Sequence, residues 1–218
     1  MAPASLTQRP MDGSNINTPE YWDGIYRREF ESGQPDAGGG SRDYGPIHDA
    51  ILGLVADGSR VLDVACGPGL LCRKLRLRHP DIRVTGVDHS AYRIGCNRER
   101  DRDLGIEYRC ADIRTGLASL DGRFDVACLC EILEHLDDPE RVVEAVVERL
   151  RPGGRLVVSC PHDDEIPDPE HVRAWGHDDL FHLLARFGWT VSFRHFEPPY
   201  FSPWMLAWVD LDRGEARA

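Results

Sequence analysis

Residues 130–139, CEILEHLDDP, bring two carboxylates and an imidazole (Glu131, Glu134 and His135) into five positions. If the stretch is helical, the i, i+3, i+4 spacing puts all three on one face. Mixed oxygen and nitrogen donors there could hold Mg2+, Mn2+ or Zn2+. At the start of an ordinary surface helix the same acids would only complement the positive end of the helix dipole, with His135 as a polar cap. A second constellation lies upstream in VLDVACGPGLL (61–71). Gly67 and Gly69 fall between a strand-like and a helix-like run, where a glycine turn lets a ligand approach the backbone closely. Asp63 stands at the end of that strand, Asp88 ends the next one 19 residues beyond Gly69, and Asp112 ends the third. Asp88 is placed to accept both hydroxyls of a ribose, and Asp112 could read an adenine amino group. Carboxylates in three successive strand-end loops converge on the carboxyl edge of a sheet, where such folds bind ligands.

The elements that must position these groups alternate strictly. Strands are expected at 60–65, 82–88, 106–112, 124–130 and 155–161, and helices at 70–79, from Ser90, at 139–150 and at 178–188, the last ending at Gly188 as a C′ residue. Continuously apolar strands alternating with helices mean an α/β sheet, mainly parallel, with helices on both faces. WTVSFRHF and PWMLAWVDL follow with no helix between them, so they must run antiparallel. Ahead of this block, 17–30 reads as a helix capped by Thr18 with Pro19 in its first turn. ESGQPDAGGGS (31–41) reads as a flexible hinge, and a second amphipathic helix carries Ile47, Ile51, Leu54 and Val55. The expected division is a mobile tail, lid helix and hinge over 1–45, then one domain over 46–218.

DVACGPG, VTGVDHS, CADI, EILEHLDDP and LRPGGRLVVS, in that order, resemble the motifs of the S-adenosylmethionine-dependent methyltransferases of class I, the Rossmann-like type. The resemblance covers roughly residues 45 to 211. It implies a seven-stranded sheet closing on a reversed hairpin. It also implies Gly67 and Gly69 at the methionine end of the cofactor, Asp88 on the ribose, Asp112 with Ile113 around the adenine, and Cys130 near the sulfonium. Asp63, Ala65 and His89 belong to the same expected cofactor-binding set, although Ala65 stands where glycine is frequent. A nicotinamide-binding fold is the main rival, but its fingerprint needs a small residue where Cys72 stands, and a pyrophosphate disfavours an acid at Asp63. A P-loop fails for want of G-x-x-x-x-G-K.

Within that family, CEILEHLDDP is similar to the ubiquinone-pathway O-methyltransferases and the small-RNA 2′-O-methyltransferases. The resemblance implies a divalent ion held by Glu131, Glu134, His135 and a later histidine, His171 rather than His177. Candidates for a general base are His135, after the fourth strand, and His162, after the fifth. Tyr21, Trp22 and Tyr26 on the first helix are either simple packing or a lid over the cofactor, as an N-terminal helix often is in this family.

Composition narrows the acceptor. The chain has 218 residues, 41% hydrophobic and 29% charged, and reads as one soluble domain. Its net charge of −11, with 25 arginines and the single Lys74 scattered, argues against nucleic acid. No apolar run approaches the roughly 18 residues of a membrane span, and the first residues lack a secretory core. Seven cysteines without a C-x-x-C suggest a reducing, cytoplasmic setting. The expected reaction is methyl transfer to a small-molecule acceptor, on oxygen. The alternatives are N- or C-methylation, or a cofactor-binding, non-methylating or regulatory protein on the same fold. The oligomeric state is left open.

Overall fold

A computed structural model of the chain describes residues 15–33, 44–162, 170–188, 190–196 and 203–212. The expected tail and most of the glycine-rich hinge lie outside these residues. The described chain builds β1 (Arg60–Val64), β2 (Arg83–Asp88), β3 (Glu107–Cys110), β4 (Phe124–Cys130), β5 (Leu150–Pro161), β6 (Val191–Phe196) and β7 (Trp204–Asp210). Its helices are α1 (Pro19–Glu31), α2 (Gly45–Leu52), α3 (Leu70–Arg78), α4 (Ala91–Arg100), α5 (Pro139–Val147) and α6 (His177–Leu184). The strands form one sheet in the order β3-β2-β1-β4-β5-β7-β6. β1 to β5 pair in parallel, whereas β7 runs antiparallel to both β5 and β6. This is the expected α/β architecture with its reversed hairpin.

Alternation along the central strands divides the core in two. Leu62, Val64, Ala127 and Leu129 meet α5 and α6 on one face, while Val61, Val126 and Cys128 meet α2, α3 and α4 on the other. Each strand therefore buries both faces, which is why its sequence is apolar throughout. Helix starts follow their caps. Thr18 accepts from the Tyr21 N–H with Pro19 in the first turn, Ser90 caps α4 through Arg93 N, and Asp138 caps α5 through Arg141 N.

Three boundaries and one local conformation differ from expectation. Helix α5 stops at Val147, and Leu150 opens β5 opposite Phe124. Leu150 buries its side chain in the same core that the helix faces, so its apolar character fits either element. β3 ends at Cys110, leaving Asp112 in the following loop, where its carbonyl accepts from Thr115 and Gly116. Helix α6 closes at Leu184, and Gly188 is not its cap. A Cβ on Gly188 would collide with the Asp210 carbonyl and the Val209 side chain, so glycine serves close approach to β7. Finally, Glu131, Glu134 and His135 do not share the face of an α-helix. Glu131 takes a left-handed backbone (φ 51°) and Leu133–His135 form a 3-10 turn.

Candidate functional site

The turn after β1 is built around positive φ. Ala65 lies at 59°, Gly67 at 46° and Gly69 at 69°, and Gly69 is the N-cap of α3. A Cβ on Gly69 would come within 2.5 Å of the Tyr108 hydroxyl, so this position needs glycine for space as well as conformation. Asp88, at the end of β2, ties the turn to the next helix. One carboxylate oxygen accepts from Gly67 N at 2.9 Å and the other from Ser90 N at 2.8 Å. Behind the turn, Asn97 Nδ2 donates to Gly67 O (2.8 Å) and Arg100 Nη2 to Pro68 O (2.9 Å). The loop is thus fixed from both sides before any ligand arrives.

Burial shapes the charges here. The Asp63 carboxyl is pushed up to about 7, chiefly because it is buried, against the Cys72 thiol that donates to it at 3.1 Å. Burial also raises Asp88, opposed by its two backbone N–H donors. Asp112 moves the other way, held low by its bidentate pairing with Arg114 (2.7 Å). Burial keeps the Cys130 thiol protonated.

A cavity of about 1000 Å3 opens along the carboxyl edge of the sheet. Asp63, Ala65, Gly67, Asp88, His89, Asp112, Ile113 and Cys130 all line it, together with Glu131, Glu134, His135 and His171. Gly69 is not among the lining residues; it shapes the turn from behind. His162 is not among them either. Its N–H donates to Pro203 O, and its ring packs against His195.

Helix α1 lies over this edge. Trp22 and Tyr26 line the cavity, with Trp22 edge-on to His135 at 5.7 Å between ring centroids. Asp23 accepts from the Ser90 hydroxyl and from Tyr92 N, so α1 helps to cap α4. Asn17 Nδ2 donates to Glu170 O at 2.7 Å, and the Tyr21 hydroxyl donates to the Glu170 carboxylate at 2.5 Å.

Beneath α1, ligand atoms of Glu134, His135 and His171 lie within 4.8 Å of one another. The 3-10 turn brings the first two together, and a Val172 N–H to Glu134 O bond (2.8 Å) delivers His171. Glu131 is not in this group; one of its oxygens accepts from Ser159 Oγ at 2.8 Å. His177 stands elsewhere, with Nδ1 3.3 Å from His195 Nε2. Sequence reasoning did not single out Ser159 or His48 as cavity-lining groups. The available signal for His48 was a histidine beside Ile47 and Ile51 on the buried face of α2.

The sequence pattern of the methyltransferase domain family matches residues 62–158. The chain is 40% identical over 108 residues to a ubiquinone biosynthesis O-methyltransferase of Coxiella burnetii, a match covering 49% of this chain and 45% of that protein. It spans about half the length of the curated relatives it matches. Among solved structures, the N-methyltransferase NodS of Bradyrhizobium japonicum WM9 superposes with a TM-score of 0.63 at 23% identity, over 77% of this chain and 95% of that one. The cyclase SpnF superposes with a TM-score of 0.67 at 18% identity, over 78% and 81%. These two likenesses concern the fold. Residues 62–158 thus match the methyltransferase domain pattern, and they lie on a sheet whose strand order, with the glycine turn and strand-end acids, is that of a Rossmann-like α/β fold.

Proposed function

We propose that the protein is an S-adenosylmethionine-dependent methyltransferase acting on the oxygen of a small molecule. The observation that carries this reading is the continuous cavity, which runs from the glycine turn and Asp88 to Ser159 and His48. Small-ligand pockets occupy about 300–1,000 Å3, so this one has room for a cofactor and an acceptor together. The residues suit that cofactor. Gly67 offers backbone without a side chain, Asp88 would take the ribose, and Asp112 with Ile113 the adenine. When bound, the cofactor supplies a methyl group on a positively charged sulfur.

The chain's own contribution is alignment, which in well-oriented reactions can lower a barrier by about 7–11 kcal/mol. Trp22 and Tyr26 would keep water from the reacting atoms. Glu134, His135 and His171 would hold a divalent ion, with Glu131 as a further carboxylate nearby. One carboxylate and two imidazoles fit Zn2+ or Mn2+, and Mg2+ less closely. Such an ion would lower the pKa of an acceptor hydroxyl and orient it. Similarity to ubiquinone-pathway O-methyltransferases supports oxygen as the acceptor atom. Among the described residues no helix is long and apolar enough to cross a membrane. With seven free thiols, the reading includes a cytoplasmic location.

The test is calorimetric titration with S-adenosylmethionine and with NAD, followed by a mass-shift screen of phenols and sugars. Binding of the sulfonium cofactor and a gain of one methyl group are expected. Tighter binding of NAD, or no methylated product from any acceptor, would refute the reading.

A further inference from the structure

O-methylation, on which this inference rests, needs somewhere for the acceptor's proton to go. His135 is turned into the Glu134–His171 group, with Nδ1 3.0 Å from Glu170 O. His162 does not line the cavity. Of the other histidines that line it, His171 belongs to the same group as His135, His89 follows Asp88 at the end expected to take the ribose, and His48 on α2, 8% exposed, stands at the α2–α3 end. We propose that His48 is the base for the acceptor hydroxyl, and that the acceptor presents a flat, uncharged, phenol-like ring to the α2–α3 end of the cavity.

The surroundings of His48 argue for both parts. Its neighbours Ile47 and Ile51 are buried in the core and hold α2 in place. Tyr44, one turn earlier, stacks on the imidazole with centroids 6.2 Å apart and planes at 23°. Behind it the Trp204 ring lies 5.5 Å away and is 2% exposed, so the aromatic floor has little freedom. Leu70, Leu71 and Leu77 of α3 supply an apolar wall. The two cations on that wall are already paired, Arg73 with Asp101 (3.2 Å) and Lys74 with Asp49 (3.4 Å). An apolar slot with paired cations favours an uncharged ring over an anion. Imidazole also titrates in the range where a general base works best.

In the step, a lone pair on the acceptor oxygen forms the new C–O bond to the methyl carbon. The C–S pair returns to sulfur, leaving a neutral thioether. The O–H proton passes to an imidazole nitrogen of His48 while that bond's electrons stay on oxygen. Positive charge therefore moves from sulfur to the imidazolium, which releases its proton to solvent as products leave.

The experiment uses 4-nitrophenol, whose visible spectrum distinguishes phenol from phenolate, with the full-length protein and S-adenosylhomocysteine. Wild type should bind the neutral phenol and, by passing its proton to His48, show a phenolate band paired with the imidazolium, stronger than that of free probe at the same pH. His48→Gln and His48→Asn should lose the band while binding S-adenosylmethionine with unchanged Kd, which also shows that they fold. His177→Gln serves as a control and should behave as wild type. Methyl transfer by His48→Gln should fall by about 10²- to 10⁴-fold. Absence of probe binding to wild type, or an undiminished band in both His48 variants, would overturn the proposal. So would loss of the band in Glu131→Gln with its retention in the His48 variants. Failure of wild type to bind S-adenosylmethionine would instead count against the methyltransferase reading itself.

Discussion

Asp88 illustrates how a single carboxylate can fix a loop and still face a ligand. Each oxygen accepts one backbone N–H, from Gly67 or Ser90, which leaves a second lone pair on each. Hydrogen bonds to a charged group contribute about 1.5–3 kcal/mol each. Asp88→Ala should therefore weaken S-adenosylmethionine binding by at least about tenfold in calorimetry; equal affinity would remove Asp88 from the site. Asp63 makes a different prediction. Its carboxyl is raised to about 7 in the fold from 3.8. The contribution it makes to stability is thus fully present below 3.8 and is lost as pH rises towards about 7. At higher pH the buried charge is a net cost, of up to about 4 kcal/mol by linkage. Asp63→Asn should melt higher than wild type at about pH 8, with the advantage shrinking towards about pH 4. A difference in Tm independent of pH would show that Asp63 titrates normally.

At the scale of elements, α1 bridges the two ends of the site. Asp23 joins it to the start of α4, and Trp22 packs on His135. Trp22 and His135 both line the cavity, and we propose that α1 acts as a lid released during ligand exchange. Asp23→Ala should speed hydrogen exchange in α1 and raise the cofactor's dissociation rate, with the sheet's protection unchanged. If exchange in α1 stays as in wild type, the helix is held by other means and is not a lid. The turn before α3 gives a second test. Gly69→Ala combines a left-handed backbone with a clash on Tyr108, and strain of this kind costs about 1–3 kcal/mol. A clear fall in Tm is expected, whereas Gly95→Ala, where a Cβ meets nothing, should be neutral or stabilising.

For the whole molecule, the sheet order sets the division of labour. The β3-β2-β1 half presents Asp112, Asp88 and the glycine turn, while the β4-β5 half presents Glu131 and Ser159. The cluster of Glu134, His135 and His171 depends on two separate segments meeting, the 3-10 turn after β4 and the stretch before α6 that carries His171, with Trp22 of α1 packed on His135. If it binds a divalent ion, chelator should stop turnover and added Mn2+ or Zn2+ should restore it. His171→Ala should then lose metal binding, and His177→Ala should keep it. Full activity in chelator, with metal undetected by mass spectrometry in the purified protein, would leave the cluster a structural feature.

The strand-end acids were legible in the sequence because β1 and β2 are short, apolar and buried on both faces. Their carboxyl ends fall where hydrophobic periodicity stops, and those ends are where Asp63 and Asp88 stand. The glycine turn was legible for the same reason, since only a tight left-handed turn joins a strand to a helix at Gly67 and Gly69. Local spacing misled for Glu131, Glu134 and His135. Their separation fits a helix face, but Glu131 continues the β4 ladder with its N–H on Ser159 O, and the chain then tightens into a 3-10 turn. Pairing with β5, a long-range interaction, overrode the local pattern. His171 was reached only through likeness to other proteins, and the fold supplied its placement through the Val172–Glu134 bond. His48 was legible only as a histidine beside Ile47 and Ile51 on the buried face of α2. Its role as a cavity wall depends on α2 packing against α3 and on Trp204 from β7, more than 150 residues away, closing behind Tyr44. Periodicity determines which residues face inward within one element; only tertiary packing decides which elements share a cavity.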